Sequence, residues 1–214
     1  MAEAFRGPAR RGIDQAKQAT TPRYGKMVKL AEGMSRLGTE TAFEVLARAA
    51  QLEAEGRDII NLGIGQPDFK TPEHIVEAAI KALRDGHHGY TPAQGILPLR
   101  EAVSRDLNRR HGVDVSPRNV VIMPGGKPTM FFAVLMFGGP GTEIMYPDPG
   151  FPIYRSMIEY IGSKPVPIAL REENGFAFSA EEVLAQITTA TRLIIINTPG
   201  NPTGGAVPKE EIEK

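Results

Sequence analysis

The stretch LIIINTPGNPTGG, residues 193–205, decides how this chain is read. Leu193, Ile194, Ile195 and Ile196 form an apolar run that ends abruptly in a loop made almost wholly of Asn, Thr, Pro and Gly. A short run of branched apolar residues bounded by turn residues is the pattern of a buried strand leaving a sheet at its edge. Open α/β sheets place ligands at that edge. The loop at 197–205 is therefore a candidate wall of a binding site.

Upstream, the same grammar repeats. Residues 120–123, 143–146 and 165–169 have strand character, and 129–137, 154–161 and 180–187 have helix character. Strand and helix exchanging places over short connections predict an α/β fold, a mostly parallel sheet covered by helices. Towards the N-terminus, the spacing of Phe43, Leu46, Ala50 and Leu52 predicts a helix from Thr41 that stops at Gly56. Residues 59–62 are expected to form a short strand that delivers the chain to GIGQPDF at 63–69. Thr71-Pro72-Glu73 is a helix start, with the Thr71 hydroxyl as cap and Pro72 in the first helical position. Val76, Ala79, Ile80 and Leu83 make the apolar face of that helix, and Gly86 ends it. A further helix from Leu97 carries Leu99, Val103 and Leu107 inward and stops at His111-Gly112. Residues 1–33 are basic, with little apolar periodicity before Met27, and are expected to be a mobile extension. Residues 34–70 then form an arm or small-domain segment, and 71–214 the sheet domain.

Composition removes several function classes. A hydrophobic content of 41% over 214 residues is ample for a sizeable core. Lys plus Arg and Asp plus Glu balance at 25 each, so no global charge favours nucleic acid or an anionic membrane. No apolar stretch approaches the roughly 18 residues that span a bilayer, and no apolar core follows the first charges as a secretory signal requires. The expected setting is cytoplasmic. With no cysteine, disulfides, thiolate metal sites and a cysteine nucleophile are excluded. His74, His87, His88 and His111 are read as surface residues, and no metal site is expected.

Two nucleotide motifs are tested and fail. Gly63-Ile64-Gly65 begins like a dinucleotide fingerprint, but Asp68 stands at the third glycine position and the helix comes only after Pro72. Gly125-Gly126-Lys127 resembles the end of a P-loop, yet Val121 occupies the first glycine position and Pro128 the place of the magnesium-binding hydroxyl. What survives is a strand, a glycine turn and a helix start, where backbone N–H groups and the helix dipole can receive a phosphate. After the next strand, Phe151 in YPDPGFPIY offers a flat apolar face to a planar ring. After the strand at 193–196, Asn201 lies between Gly200 and Pro202, and its amide can donate to a ring oxygen. Pro202 is a candidate cis bond.

A phosphate turn, a ring-stacking aromatic and an oxygen donor on successive strand ends are the parts of a pyridoxal-phosphate site. The sequence closely resembles the class I/II aminotransferases of fold type I, in particular their aspartate/aromatic aminotransferase-like subgroup. The resemblance runs from about Ser35 to the last residue and is carried in family order by NLGIGQPDFKTPEHIVEAA, GYTPAQGILPLREAV, VIMPGGKPTMFFAV, YPDPGFPIY and IIINTPGNPTGGAVPKEE. It implies that Gly125, Gly126 and Lys127 hold the phosphate of pyridoxal 5′-phosphate, that Phe151 stacks on its ring, and that Asn201 bonds the ring oxygen and, through it, senses substrate. Gly65 would lie beside the substrate carboxylate. Tyr90 matches a tyrosine that reaches across a homodimer interface to the partner's cofactor phosphate. Amino-acid and 2-oxo-acid substrates, a mixed sheet with helices on both faces and an N-terminal arm are likewise implied.

In the family, the Schiff-base lysine lies in a Ser-x-x-Lys-like motif well beyond the Asn-Pro-Thr-Gly loop. No lysine of this sequence stands in that context, so no catalytic residue is assigned. The chain is expected to be the N-terminal half of an aminotransferase, an incomplete large domain that is inactive alone and whose apolar edges favour aggregation or partner binding. Two other readings stay open: a non-catalytic, partner-binding remnant, and a lyase or synthase built on the same scaffold. Nothing here separates one amino donor from another.

Overall fold

The computed structural model describes residues 29–38, 41–63, 65 and 67–214, without the side chains of 41–43. The basic extension expected at 1–33 lies almost wholly outside the described residues. Gly33–Lys214 gathers into one unit. Along it run the helices α1 (Thr41–Ala54), α2 (Glu73–Arg84), α3 (Leu97–His111) and α4 (Gly126–Phe137). Then strand β1 (Glu143–Asp148), helix α5 (Ile153–Tyr160), β2 (Lys164–Ala169), α6 (Ala180–Ala185), β3 (Thr191–Ile194) and α7 (Lys209–Ile212) follow in alternation. The three strands form a wholly parallel sheet in the order β2-β1-β3.

Central placement makes β1 apolar on both faces, as parallel strands under helices must be. Ile144 and Tyr146 pack on one side with Val134 of α4 and Tyr154, Met157 and Ile158 of α5. Met145 points to the other side and meets Ile168, Leu170 and Val183 of α6. Ile144, Met145 and Ile158 have no exposed surface at all.

Proline decides where the ladders stop. Lys164 and Leu170 donate their N–H groups to Thr142 and Asp148 beside β1, so by strand alternation the even residues of β2 face β1 and the odd ones face outward. Two of those outward residues are Pro165 and Pro167, which have no N–H to offer. On the other flank, Ile195 donates to Met145, which puts the outward N–H of β3 at Ile194. The next donor that β1 would send towards β3 is missing because residue 147 is proline. The β1–β3 ladder ends there, and the loops after the two strands are free to follow separate courses.

Two expected strands do not form. Residues 59–62 are irregular, with Ile60 and Leu62 86% and 89% exposed. Residues 120–123 form no ladder either: Ile122 donates to the carbonyl of Gln94, and Val121 is exposed. An apolar run becomes a strand only where another strand meets its backbone, and neither run has such a neighbour among the described residues. Smaller corrections concern helix starts and faces. The N-cap of α2 is Pro72, without a side-chain cap, so Thr71 lies one residue too early. No residue of α2 is buried, and Leu83 is exposed. In α3 the buried residue is Ser104, whose hydroxyl donates to the Val115 carbonyl, while Leu99 is exposed. Gly112 ends α3 in the left-handed conformation, as expected.

One ion pair binds the strand starts together. The Glu143 carboxylate accepts from the Lys164 ammonium at 2.7 Å and from the Thr188 hydroxyl at 2.7 Å, joining β1 to β2 and to the turn before β3. The Lys164 hydrogen bond first, and then that of Thr188, hold the carboxyl below its ordinary value. A depressed carboxyl contributes stability that is present above the unfolded-state value of about 4.3 and is lost as pH falls through the folded-state value. Glu143→Gln is therefore expected to lower the melting temperature at neutral pH, with the gap to the parent closing below about pH 4. A gap that stays constant with pH would contradict this.

Candidate cofactor site

Three chain segments meet the C-terminal edge of the sheet. The first is the start of α4, which the sequence placed nearer Thr129 and which begins at Gly126. Gly125 is its N-cap at φ +90°, a conformation that favours glycine. Its own N–H turns back to the Met123 carbonyl at 2.9 Å. Pro128, in the third helical position, has no N–H, so the groups projecting from the helix end are those of Gly126 and Lys127. Beyond the neighbouring residues and the helix's own backbone, no atom lies within 4 Å of where a Cβ would stand on Gly125 or Gly126. The helix end is a bare backbone surface with a positive dipole, suited to an anion.

The second segment is the turn after β1. Asp148–Pro149 is cis, and Gly150 follows with its Cα so close to the Pro147 carbonyl that a Cβ would lie 2.1 Å from its oxygen. The chain thereby presents Phe151, half-buried against the α4/α5 core, with its ring 5.9 Å from that of Tyr154 at 84°. The ammonium of Lys127 lies 5.6 Å from the Phe151 centroid, within cation–π range. The expected phosphate turn and ring platform are thus brought together in space. Tyr146, Asp148, Gly150, Phe151 and Arg155 line a cavity beside this turn. Burial, and then the charge of Asp148, push the Tyr146 phenol up, so it stays protonated. Arg155 is engaged by Glu159 at 2.8 Å, whose hydrogen bond pushes the guanidinium higher still.

The third segment is the loop after β3. Thr198–Pro199 and Asn201–Pro202 are both cis, the second as the sequence suggested. Gly200 donates to the Gly205 carbonyl, Gly204 to that of Gly200, and Val207 to the Thr198 hydroxyl, so the loop is tied to itself. Asn201 is exposed, with its N–H held by the Asn197 side chain at 2.8 Å. Sequence reasoning passes over Asn197 and Thr198 as ordinary turn residues. The signal that could find them is the habit of Asn and Thr side chains of bonding nearby backbone.

Gly65 and Tyr90 are not brought to this edge by contacts within the chain. Gly65 is exposed, with nothing within 4 Å of where a Cβ would stand, and Tyr90 is wholly exposed. His74, His87, His88 and His111 are all exposed, and among the described residues no three metal-binding side chains cluster. Likewise, no described helix is long and apolar enough to cross a membrane.

Known proteins are similar to this chain in sequence and in fold. A probable aspartate/prephenate aminotransferase from Aquifex aeolicus is 38% identical over 185 residues, covering 86% of this chain and 47% of its own length. An aspartate aminotransferase from Pyrococcus horikoshii is 42% identical over 167 residues, covering 78% of this chain and 42% of its own. Among solved structures, the aspartate aminotransferase of Thermus thermophilus with maleate superposes with a TM-score of 0.83 at 35% identity, covering 87% of this chain and 49% of that one. The chain spans about half the length of the curated relatives it matches. With a match to the aminotransferase class I and II family over residues 57–214, it belongs to that family and has the fold of its fold type I members.

Proposed function

We propose that this chain serves pyridoxal-phosphate-dependent transfer of an amino group between an amino acid and a 2-oxo acid, and that it supplies the phosphate and ring contacts of the cofactor site. The observation that carries the reading is the Lys127 ammonium 5.6 Å from the Phe151 ring centroid, beside a helix N-terminus whose cap and first residue are both glycine. A phosphorylated planar ring fits that combination: the N–H groups of Gly126 and Lys127 face the anion, Lys127 adds charge, and Phe151 offers its ring face. Asn201 would donate its amide to the ring oxygen. When bound, the cofactor supplies the electron sink that amino-group transfer requires. Gly65 beside the substrate carboxylate and Tyr90 at a second copy's site belong to the same proposal; the complete exposure of Tyr90 leaves it available to another chain.

Pyridoxamine 5′-phosphate tests the reading, because it has no aldehyde to react with stray lysines. Saturable binding is expected by fluorescence titration, weakened about ten-fold by Lys127→Gln, which removes a charged donor. Phe151→Ala should weaken it about five-fold. Absence of binding, or binding untouched by both substitutions, overturns the assignment. No steady transamination is expected from this chain alone, since none of its lysines has the sequence context of the family's reactive one; turnover by the purified chain would contradict that.

A further inference from the structure

Asn201 stands in a loop with few ways to be held. Pro199 and Pro202 have no N–H, and Gly200 spends its own on the Gly205 carbonyl. The N–H of Asn201 is thus the backbone donor by which its position can be fixed, and the Asn197 Oδ1 accepts it at 2.8 Å. Asn197 opens the loop three residues after β3 and two after Ile195, whose N–H still donates to Met145, and is itself half-buried. Its side chain joins the first residue of the loop to the residue proposed to meet the ring oxygen.

We infer that Asn197 is a positioning residue for the cofactor site: through the Asn201 N–H it sets where the Asn201 amide points. The inference rests on the cofactor reading above. It assigns Asn197 no contact with the ligand. Its Oδ1 acts as an acceptor that closes the loop on its first residue, so that Asn201 is held in place before the ligand arrives and less order remains to be imposed on binding. Another side-chain tie of the loop, in which the Val207 N–H donates to the Thr198 hydroxyl, closes the loop at its base without touching Asn201. Thr198→Val therefore serves as the control for loop stability alone.

Two readouts test this on the chain as it exists. Amide hydrogen exchange should show protection of the Asn201 N–H in the parent and in Asn197→Asp, which keeps an oxygen acceptor, and lose it in Asn197→Leu. Titration with pyridoxamine 5′-phosphate should show Asn201→Ala and Asn197→Leu each weakening binding about five-fold, the worth of one hydrogen bond. The double variant should be no weaker than either single one, as expected for two residues acting through one contact. Thr198→Val should lower thermal stability and leave the affinity within about two-fold of the parent, inside the scatter of uncoupled sites. If Asn201→Ala weakens binding while Asn197→Leu does not, or if the two losses multiply, the positioning role is overturned and the site assignment stands. If Asn201→Ala leaves binding unchanged, the assignment of Asn201 fails and this inference falls with it.

Discussion

Gly150→Ala is expected to disrupt the turn that presents Phe151 and to cost about 3 kcal/mol, the upper end for forced overpacking. The added Cβ would stand 2.1 Å from the Pro147 carbonyl oxygen and 3.1 Å from its carbon. Both are backbone atoms at the end of a central strand, so no rotamer change relieves the contact. The turn must open, and Phe151 must leave its place beside Lys127. Urea denaturation should show the loss as a lower midpoint, and pyridoxamine 5′-phosphate affinity should fall at least as far as in Phe151→Ala. Gly139→Ala is the matched control, because no atom beyond its chain neighbours lies within 4 Å of its Cβ position. A Gly150→Ala chain as stable as that control would sink the argument.

Ile144→Ala is expected to cost about 2–5 kcal/mol, the range for emptying a fully buried aliphatic site. Ile144 has no exposed surface and lies among Val134, Tyr146, Tyr154, Met157 and Ile158, where α4 and α5 close over the central strand. The cavity cannot collapse easily, since β1 is held on both flanks by ladders. Set against the total of about 5–15 kcal/mol typical of a domain, the loss is a large share. The same packing fixes the start of α4 relative to the turn after β1. The affinity for pyridoxamine 5′-phosphate should therefore fall alongside the denaturation midpoint, and an unchanged midpoint would show that the core lies elsewhere.

Much of this architecture is legible from residues alone, for a physical reason. The alternation from 126 to 196 combines local periodicity with turn chemistry, and both are written in contiguous sequence. Gly125, Phe151 and Asn201 are legible because each follows an apolar run and sits among turn residues. The runs at 59–62 and 120–123 look the same on paper as the run at 143–146, yet only the last has strands on either side. Strand identity depends on partners that are distant in sequence. The approach of Lys127 to Phe151 depends on the packing of α4 against β1, and the part played by Asn197 depends on the path by which the loop returns Asn201 to it. The first is a consequence of tertiary geometry that no single stretch encodes; the second is local, and lies in the path of one loop.

The prolines of β2 give the sheet a direction of growth. With no outward donor at Pro165 or Pro167, the β2 flank offers an incoming strand a row of acceptors with gaps where donors should be. The β3 flank keeps the outward N–H of Ile194 and has no proline until residue 199. A strand that joins this sheet by a regular ladder therefore joins it beside β3, next to the loop that carries Asn201. Extending the sheet and walling in the proposed cofactor site are then one and the same assembly step.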